Sequence, residues 1–304
     1  MSQNIIFNRN HITNPTSGNN KLRYDLPRTV TFGEEDTVSL SNLHIYFSWF
    51  NISAANNNNF FQYKWFNNVD GLADEIFDIN ILDGYYSIDT LNEYVLSILT
   101  SRFHYLETID GSNFIFLFEI RTNSTYYASS VKISSLSDQY DFGDGQGKRA
   151  ITDVVKTPSP TNWVFPSTFE APSIIIPSNN KFGELLGFAP GRTIEMDTSA
   201  NSTNRSETFL NTKVPAMMPS SSYIITCNLV QNLMSIPSDV FYSFTVPNNV
   251  GFGEMISPVN DNVYSRIKPA GTFNHIELSI FDQNFKPLIV QDADMLIVLS
   301  IIKK

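Results

Sequence analysis

The sequence predicts an all-β fold: a single jelly-roll β-sandwich with one amphipathic helix and long surface loops or an inserted segment. Three observations predict it. About a dozen segments carry strand patterning, one segment alone repeats at the helical period, and the turns recur at irregular spacing with no repeat unit. An α/β fold would need a helix between most strands. Two packed sheets bury one face of every strand and leave few open edges, so a sandwich of jelly-roll type is the default.

The elements follow in order. Residues 1–27 read as a flexible N-terminal arm, because Asn14-Pro15-Thr16-Ser17-Gly18-Asn19-Asn20 surrounds only scattered apolar residues. Ile5, Ile6 and Phe7 are what such an arm would lay on a neighbouring subunit. The jelly-roll domain is then 28–304. Val30, Phe32, Val38 and Leu40 alternate, and Leu43 to Ile52 is rich in β-branched and aromatic residues. Asn56 to Asn59 makes a turn or loop before the strands Phe60 to Phe66 and Ile76 to Leu82, the second stopping at Asp83-Gly84. The helix spans about 87–103. Ser87 can cap it, Asp89 sits in its first turn, and Leu91, Tyr94, Val95, Ile98 and Leu99 form one apolar face. Its expected role is to cover a sheet.

Strands resume as a hairpin, with Phe114 to Ile120, a turn at Arg121 to Ser124, and Tyr126 to Ile133. A long Gly/Pro/Asp loop covers 137–163, a short strand covers Ser173 to Ile176, and Glu195 to Asn211 is a polar stretch. Tyr223 to Val230, Val240 to Val246, His275 to Phe281 and Met295 to Ile302 complete the strands. An inserted segment is placed at about 84–190, with 137–163 and 190–212 as outer loops.

Composition removes several function classes. The 304 residues are 42% apolar and only 16% charged, against about 25% charged in an average domain. The chain is long enough to bury a large core and too apolar for disorder. A net charge of -10 disfavours direct nucleic-acid binding and favours solubility. No apolar run is long enough for a transmembrane helix, and Met1-Ser2-Gln3-Asn4 does not open a signal peptide. A single cysteine excludes an intrachain disulfide and a Cys-rich metal site.

No motif supports catalysis, a cofactor or a metal. Asp141-Phe142-Gly143 lacks the other kinase elements. Gly145-Gln146-Gly147-Lys148-Arg149 has Phe142 where a phosphate loop needs its first glycine, and Arg149 where it needs Ser or Thr. Residues 141–149 read as a charged surface loop. His11, His44, His104 and His275 are scattered without metal-ligand spacing. Cys227 lies in an apolar strand, where a buried hydrophobe is expected; a Cys–His hydrolase would need it exposed beside a histidine. Asp292 and Asp294 share a face, but two acids fall short of calcium's six to eight oxygens, and a solvated turn is expected. Asn51, Asn123, Asn201 and Asn204 fit the glycosylation pattern, as an Asn-rich chain does by accident.

Four ordered pieces carry a resemblance. They are Asp83-Gly84-Tyr85-Tyr86-Ser87-Ile88-Asp89-Thr90-Leu91-Asn92 entering the helix; Lys181-Phe182-Gly183-Glu184-Leu185-Leu186-Gly187-Phe188; Tyr223 to Leu229 followed by Ser238 to Phe244; and Ile280 to Leu288 with Asp292 to Ile302. Over residues 76–302 this set resembles the minor capsid (penton) proteins of virophages and of the related Maverick/Polinton elements, and looks closest to the mavirus type. The resemblance implies a jelly-roll capsid subunit that forms homopentamers at icosahedral fivefold vertices, contacts the major capsid protein and resides in the virion. The length suits one jelly roll, since the major capsid proteins of that group carry two. Surplus aromatics and few charges suit large subunit interfaces, although an AT-rich genome also enriches Phe, Tyr, Ile and Asn. The rival reading is a carbohydrate- or receptor-binding β-sandwich, for which Trp163 in the long loop is the candidate contact. An enzyme using Cys227 ranks last.

Overall fold

The computed structural model describes residues 2–137, 139–141, 148–150, 152, 155–197, 206–218, 220–258, 263–268 and 271–304. In chain order the first strands are β1 (Ser2–Asn8), β2 (Lys21–Thr31), β3 (Thr37–Tyr46), β4 (Phe60–Trp65) and β5 (Glu75–Asn80). Helix α1 (Ile88–Ser101) precedes β6 (Leu106–Thr108), β7 (Phe114–Ile115), β8 (Phe118–Asn123), β9 (Ala128–Ser134), β10 (Gln139–Asp141), β11 (Lys148–Ala150), β12 (Val155–Lys156) and β13 (Ser173–Ile175). Helix α2 (Phe182–Leu186) leads to β14 (Thr193–Ile194), β15 (Ser206–Leu210), β16 (Tyr223–Cys227), β17 (Val240–Phe244), β18 (Met255–Ile256), β19 (Tyr264–Arg266), β20 (Thr272–Asp282) and β21 (Met295–Ile302). The chain divides into two compact units, residues 1–50 with 220–304, and residues 51–219.

The first unit is a jelly roll by its strand order. One sheet runs β1-β21-β3-β18, with β19 also on β3; the other runs β17-β16-β20-β2. The pairing is nested. The first strand pairs the last, the second pairs the second-to-last, the third pairs β18 and β19, and β16 pairs β17. All these pairs are antiparallel, as when one long hairpin is rolled up into two sheets. Period-2 alternation decides which residues face inward. On β21 the buried set is Met295, Ile297, Leu299 and Ile301, and on β20 it is Ile276, Leu278 and Ile280. On β3 the buried row is Val38, Leu40, Leu43 and Ile45, a pattern that breaks step once. A register shift against β21 between Val298 and Leu299 absorbs Ser41, so both halves of β3 keep their apolar side chains inside.

The expected arm over 1–27 does not hold. Residues 2–8 pair with β21 along their whole length, Phe7 is fully buried, and Lys21 opens a strand on β20. Pro27 lies in the register shift of edge strand β2, where a missing N–H costs no ladder bond. The domain bounds change as well. The roll uses 1–50 and 220–304, and the segment between β3 and β16 is residues 51–219 rather than about 84–190.

The second unit has its own core, built on Phe61, Tyr63, Trp65, Phe118, Trp163 and Phe182 among others. Its sheets are β14-β13-β4-β5, β15-β9-β8, β12-β6-β7 and the ribbon β10-β11. Helix α1 begins as expected. The Ser87 hydroxyl accepts from the Thr90 N–H at 3.1 Å, and Thr90 Oγ1 accepts from the Ser87 N–H at 2.9 Å. Leu91, Val95 and Leu99 are its buried stripe. Asn92 Oδ1 accepts the Ile120 N–H at 2.8 Å, which satisfies a strand amide and ties the helix to β8. The hairpin β8–β9 turns at 124–127, three residues later than its composition suggested, because Arg121, Thr122 and Asn123 still pair with Ser130, Ser129 and Ala128. Helix α2 has too few residues for a periodic signal. It lacks a side-chain cap and ends on Gly187 at a φ of 75°.

Candidate assembly surfaces

The structure scatters the residues that were weighed for chemistry. Cys227 is 1% exposed on β16, and burial pushes its thiol up to about 12. Its hydrogen bonds come from the backbone N–H groups of Leu229 and Val230, with no histidine among its partners. A thiol raised from 9 favours the folded state fully below pH 9, and that contribution is lost as pH rises from about 9 toward 12. Native Cys227 is therefore expected to react with iodoacetamide at pH 8 only as fast as the roll unfolds. Labelling followed by mass spectrometry, with and without urea, checks this; rapid labelling of the folded chain would contradict it.

The histidines stay apart. His11 stacks on Tyr24, His44 sits on β3, His275 bonds to Asn274, and His104 lies in the core of the second unit. Among the described residues no group of three or more His, Cys, Asp or Glu side chains is placed to hold a metal ion. Asp292 and Asp294 shape the turn into β21: Asp292 Oδ1 accepts the Asp294 N–H at 2.8 Å, and Asp294 lies 3.6 Å from Arg9. Asn51 is buried, its amide donating to the Tyr86 and Met217 carbonyls, so it is no glycan acceptor. Asn201, Asn204 and most of the 141–149 loop lie outside the described residues.

Trp163 is a correction. It is 2% exposed, packs edge-on against Trp65 at 5.5 Å, and donates its indole N–H to the Phe103 carbonyl at 2.8 Å. Its loop looked solvated because its neighbours are Pro, Ser, Thr and Asn; the burial comes from β4, about a hundred residues earlier in the chain.

What the molecule exposes instead is apolar loop. Between β16 and β17 the chain closes a tight loop. The Asn232 N–H donates to the Ser238 carbonyl at 2.6 Å, Asn232 Oδ1 accepts the Met234 N–H at 3.0 Å, and Ser235 Oγ donates to the Pro237 carbonyl at 2.9 Å. These bonds use the polar groups internally and turn Leu233, Met234 and Ile236 outward, at 82%, 96% and 96% exposure. Isolated exposed apolar residues are ordinary; three on one short loop make a more concentrated apolar surface. The second unit has its own such surface. Tyr126 and Tyr127 at the β8–β9 turn, with Leu210 and Val214, line a cleft of about 320 Å³. Sequence reading passed over both. The run Leu233-Met234-Ser235-Ile236-Pro237, apolar yet outside any strand, was the available signal.

No helix among the described residues is long and apolar enough to cross a membrane. No family model and no curated protein matches the chain. Among solved structures it is similar to the mavirus penton protein, with a TM-score of 0.41 and 13% identity over 99% of this chain and 96% of that one. It is also similar to a chain in the cryo-electron microscopy structure of the Sputnik virophage, with a TM-score of 0.40 and 11% identity over 100% of this chain and 98% of that one.

Proposed function

We propose that this chain is a structural subunit of a viral capsid, a penton protein that closes into homopentamers at fivefold vertices and contacts the major capsid protein there. The observation that carries the reading is the jelly roll whose tight β16–β17 loop turns Leu233, Met234 and Ile236 into solvent. A fold alone does not specify function, so the weight falls on that surface together with the ordered sequence segments between residues 76 and 302. Apolar, uncharged surface is what the centre of a subunit interface requires. A ring of identical subunits needs two different patches meeting head to tail, and the loop supplies one of them. The role asks for shape and contact and no reaction.

Co-expression with a major capsid protein, followed by cryo-electron microscopy, tests this. Density for this chain is expected at the fivefold positions. Replacing Leu233, Met234 and Ile236 together by Ser is expected to leave the melting temperature of the chain within a few degrees of wild type and to abolish incorporation. Particles whose vertices lack this chain would overturn the reading. Normal incorporation of the triple variant would remove the loop from the contact.

A further inference from the structure

The C-terminal end of α1 opens onto a cleft that neither the sandwich core nor the exposed loops explain. Its volume is about 420 Å³, and Phe77, Arg102, His104, Pro160, Thr161 and Asn162 line it. Its chemistry is one-sided. The chain carries 30 acidic residues against 20 basic ones, yet among the described residues no acidic side chain lines this cleft.

Arg102 caps the helix, and its guanidinium lies 5.7 Å from the centre of the Tyr63 ring and 5.8 Å from that of Phe77. It donates to the Tyr63 oxygen at 3.2 Å and to the Asp78 carbonyl at 2.7 Å, both neutral acceptors. The Asp78 carboxylate accepts instead from Gln62 Nε2 at 2.8 Å. None of the ion pairs among the described residues involves Arg102. A guanidinium has five N–H groups, so donor capacity remains beyond these two bonds, with the helix C-terminus and the two ring faces as the groups that meet its charge.

His104 adds a donor. Its side chain is buried, stacks on Trp65 at 4.9 Å, and has Nδ1 2.7 Å from the Tyr63 hydroxyl. With Tyr63 accepting from Arg102 and giving its own hydrogen to His104 Nδ1, the neutral imidazole carries its hydrogen on Nε2, and this is the tautomer the site requires. Burial and the neighbouring Arg102 pull the imidazole down to about 3, so it is uncharged at neutral pH. Thr161 and Asn162 contribute polar groups on an exposed loop, and Phe77 and Pro160 contribute flat apolar faces.

We propose that this cleft binds a carboxylated sugar of the uronic-acid kind. Arg102 and the His104 Nε2–H take the carboxylate, Thr161 and Asn162 take ring hydroxyls, and Phe77 with Pro160 packs the ring's apolar face. Charge-assisted bonds from a planar guanidinium are the strong contacts in such a site, and a few placed polar groups against apolar walls are what small-ligand sites use.

The test is titration of the full chain at pH 7 with D-glucuronate, D-glucose and sodium sulfate, read by calorimetry and by the ¹H–¹⁵N signals of the His104 ring. Saturable binding of glucuronate with a Kd on the order of 1 mM is expected, with a shift at His104 Nε2. Glucose is expected to bind at least about tenfold more weakly, the equivalent of one charge-assisted bond. Arg102→Gln is expected to remove glucuronate binding. Should that variant fail to fold, the exposed double variant Thr161→Val/Asn162→Ala is read instead, with a loss of at least about fivefold expected from two hydrogen bonds. Equal binding of glucose and glucuronate, no saturation by glucuronate at tens of millimolar, or unchanged binding by the double variant would each overturn the proposal. Sulfate binding as tightly as glucuronate would overturn it in favour of a general anion site.

Discussion

Deleting residues 1–27 is expected to abolish cooperative folding of the jelly-roll unit. The deletion removes β1 and more than half of β2, so each sheet loses an outer strand. Phe7, fully buried, leaves with β1, and Leu22, also fully buried, leaves with β2. Truncating one buried Phe costs about 3–5 kcal/mol by itself. Typical domain stability is about 5–15 kcal/mol, so two lost strands exceed it. The cut would also bare the edge of β21, an eight-residue strand rich in Ile, Leu and Val, which invites aggregation. A milder variant, Phe7→Ala, separates the packing effect from strand loss and is expected to lower stability by about 3–5 kcal/mol. Circular dichroism melts and solubility of the two variants measure this. A truncated chain that melts at the wild-type temperature would show that residues 1–27 are an appendage after all.

The second large effect is expected at Gly187. Its φ of 75° lies in the left-handed region, and a Cβ there would meet the Lys213 carbonyl oxygen at 2.1 Å and the Asn211 amide at 2.7 Å. The obstacle cannot yield cheaply. The Thr212 and Lys213 N–H groups donate to the Gly187 carbonyl at 3.2 and 3.1 Å, and the Asn211 amide donates to the Leu186 carbonyl at 2.9 Å. The Ser129 hydroxyl also donates to that Leu186 carbonyl. Backbone of residues 211–213 is thus bonded onto the end of α2. Gly187→Ala is expected to cost about 2–5 kcal/mol, combining left-handed strain with overpacking. Gly111→Ala is the control. Its φ is 70° and its Cβ would meet nothing within 4 Å, so only the conformational cost of about 1–2 kcal/mol applies. Urea unfolding of both variants tests the difference. Equal losses would mean that the close approach at Gly187 relaxes freely.

The legible parts of the fold were those set by local pattern. Met295 to Ile302 is an almost continuous apolar run rich in Ile, Leu and Val, and it is a strand over just those residues. The Ser87 cap and the Leu91, Val95, Leu99 stripe gave α1 to within two residues at either end. The segment Ser2–Asn8 was misread because it is an outer strand with one fully buried side chain; composition sees Ser, Gln and Asn and cannot see that its partner begins at Leu296. The bounds of the inserted unit were equally hidden, since Trp49, Phe50 and Ile52 continue the same apolar run across the point where the chain leaves the roll. The cleft at Arg102 had no motif to announce it. Its lining comes from three separated stretches of chain, near residues 77, 102 and 160.

By itself, then, the amino-acid order determined that this is a strand-built sandwich with one capped helix, because alternation and capping are contests settled between neighbours along the chain. Only the tertiary structure decided that strand one closes on the last strand, that the roll opens between β3 and β16 for a second compact unit, that Trp163 and Cys227 are interior, and that Arg102 has no acid paired with it among the described residues. The reason is physical. A hydrophobic period states which face must be buried, but not against what, and the partner is chosen by the sum of packing and pairing over residues hundreds of positions apart.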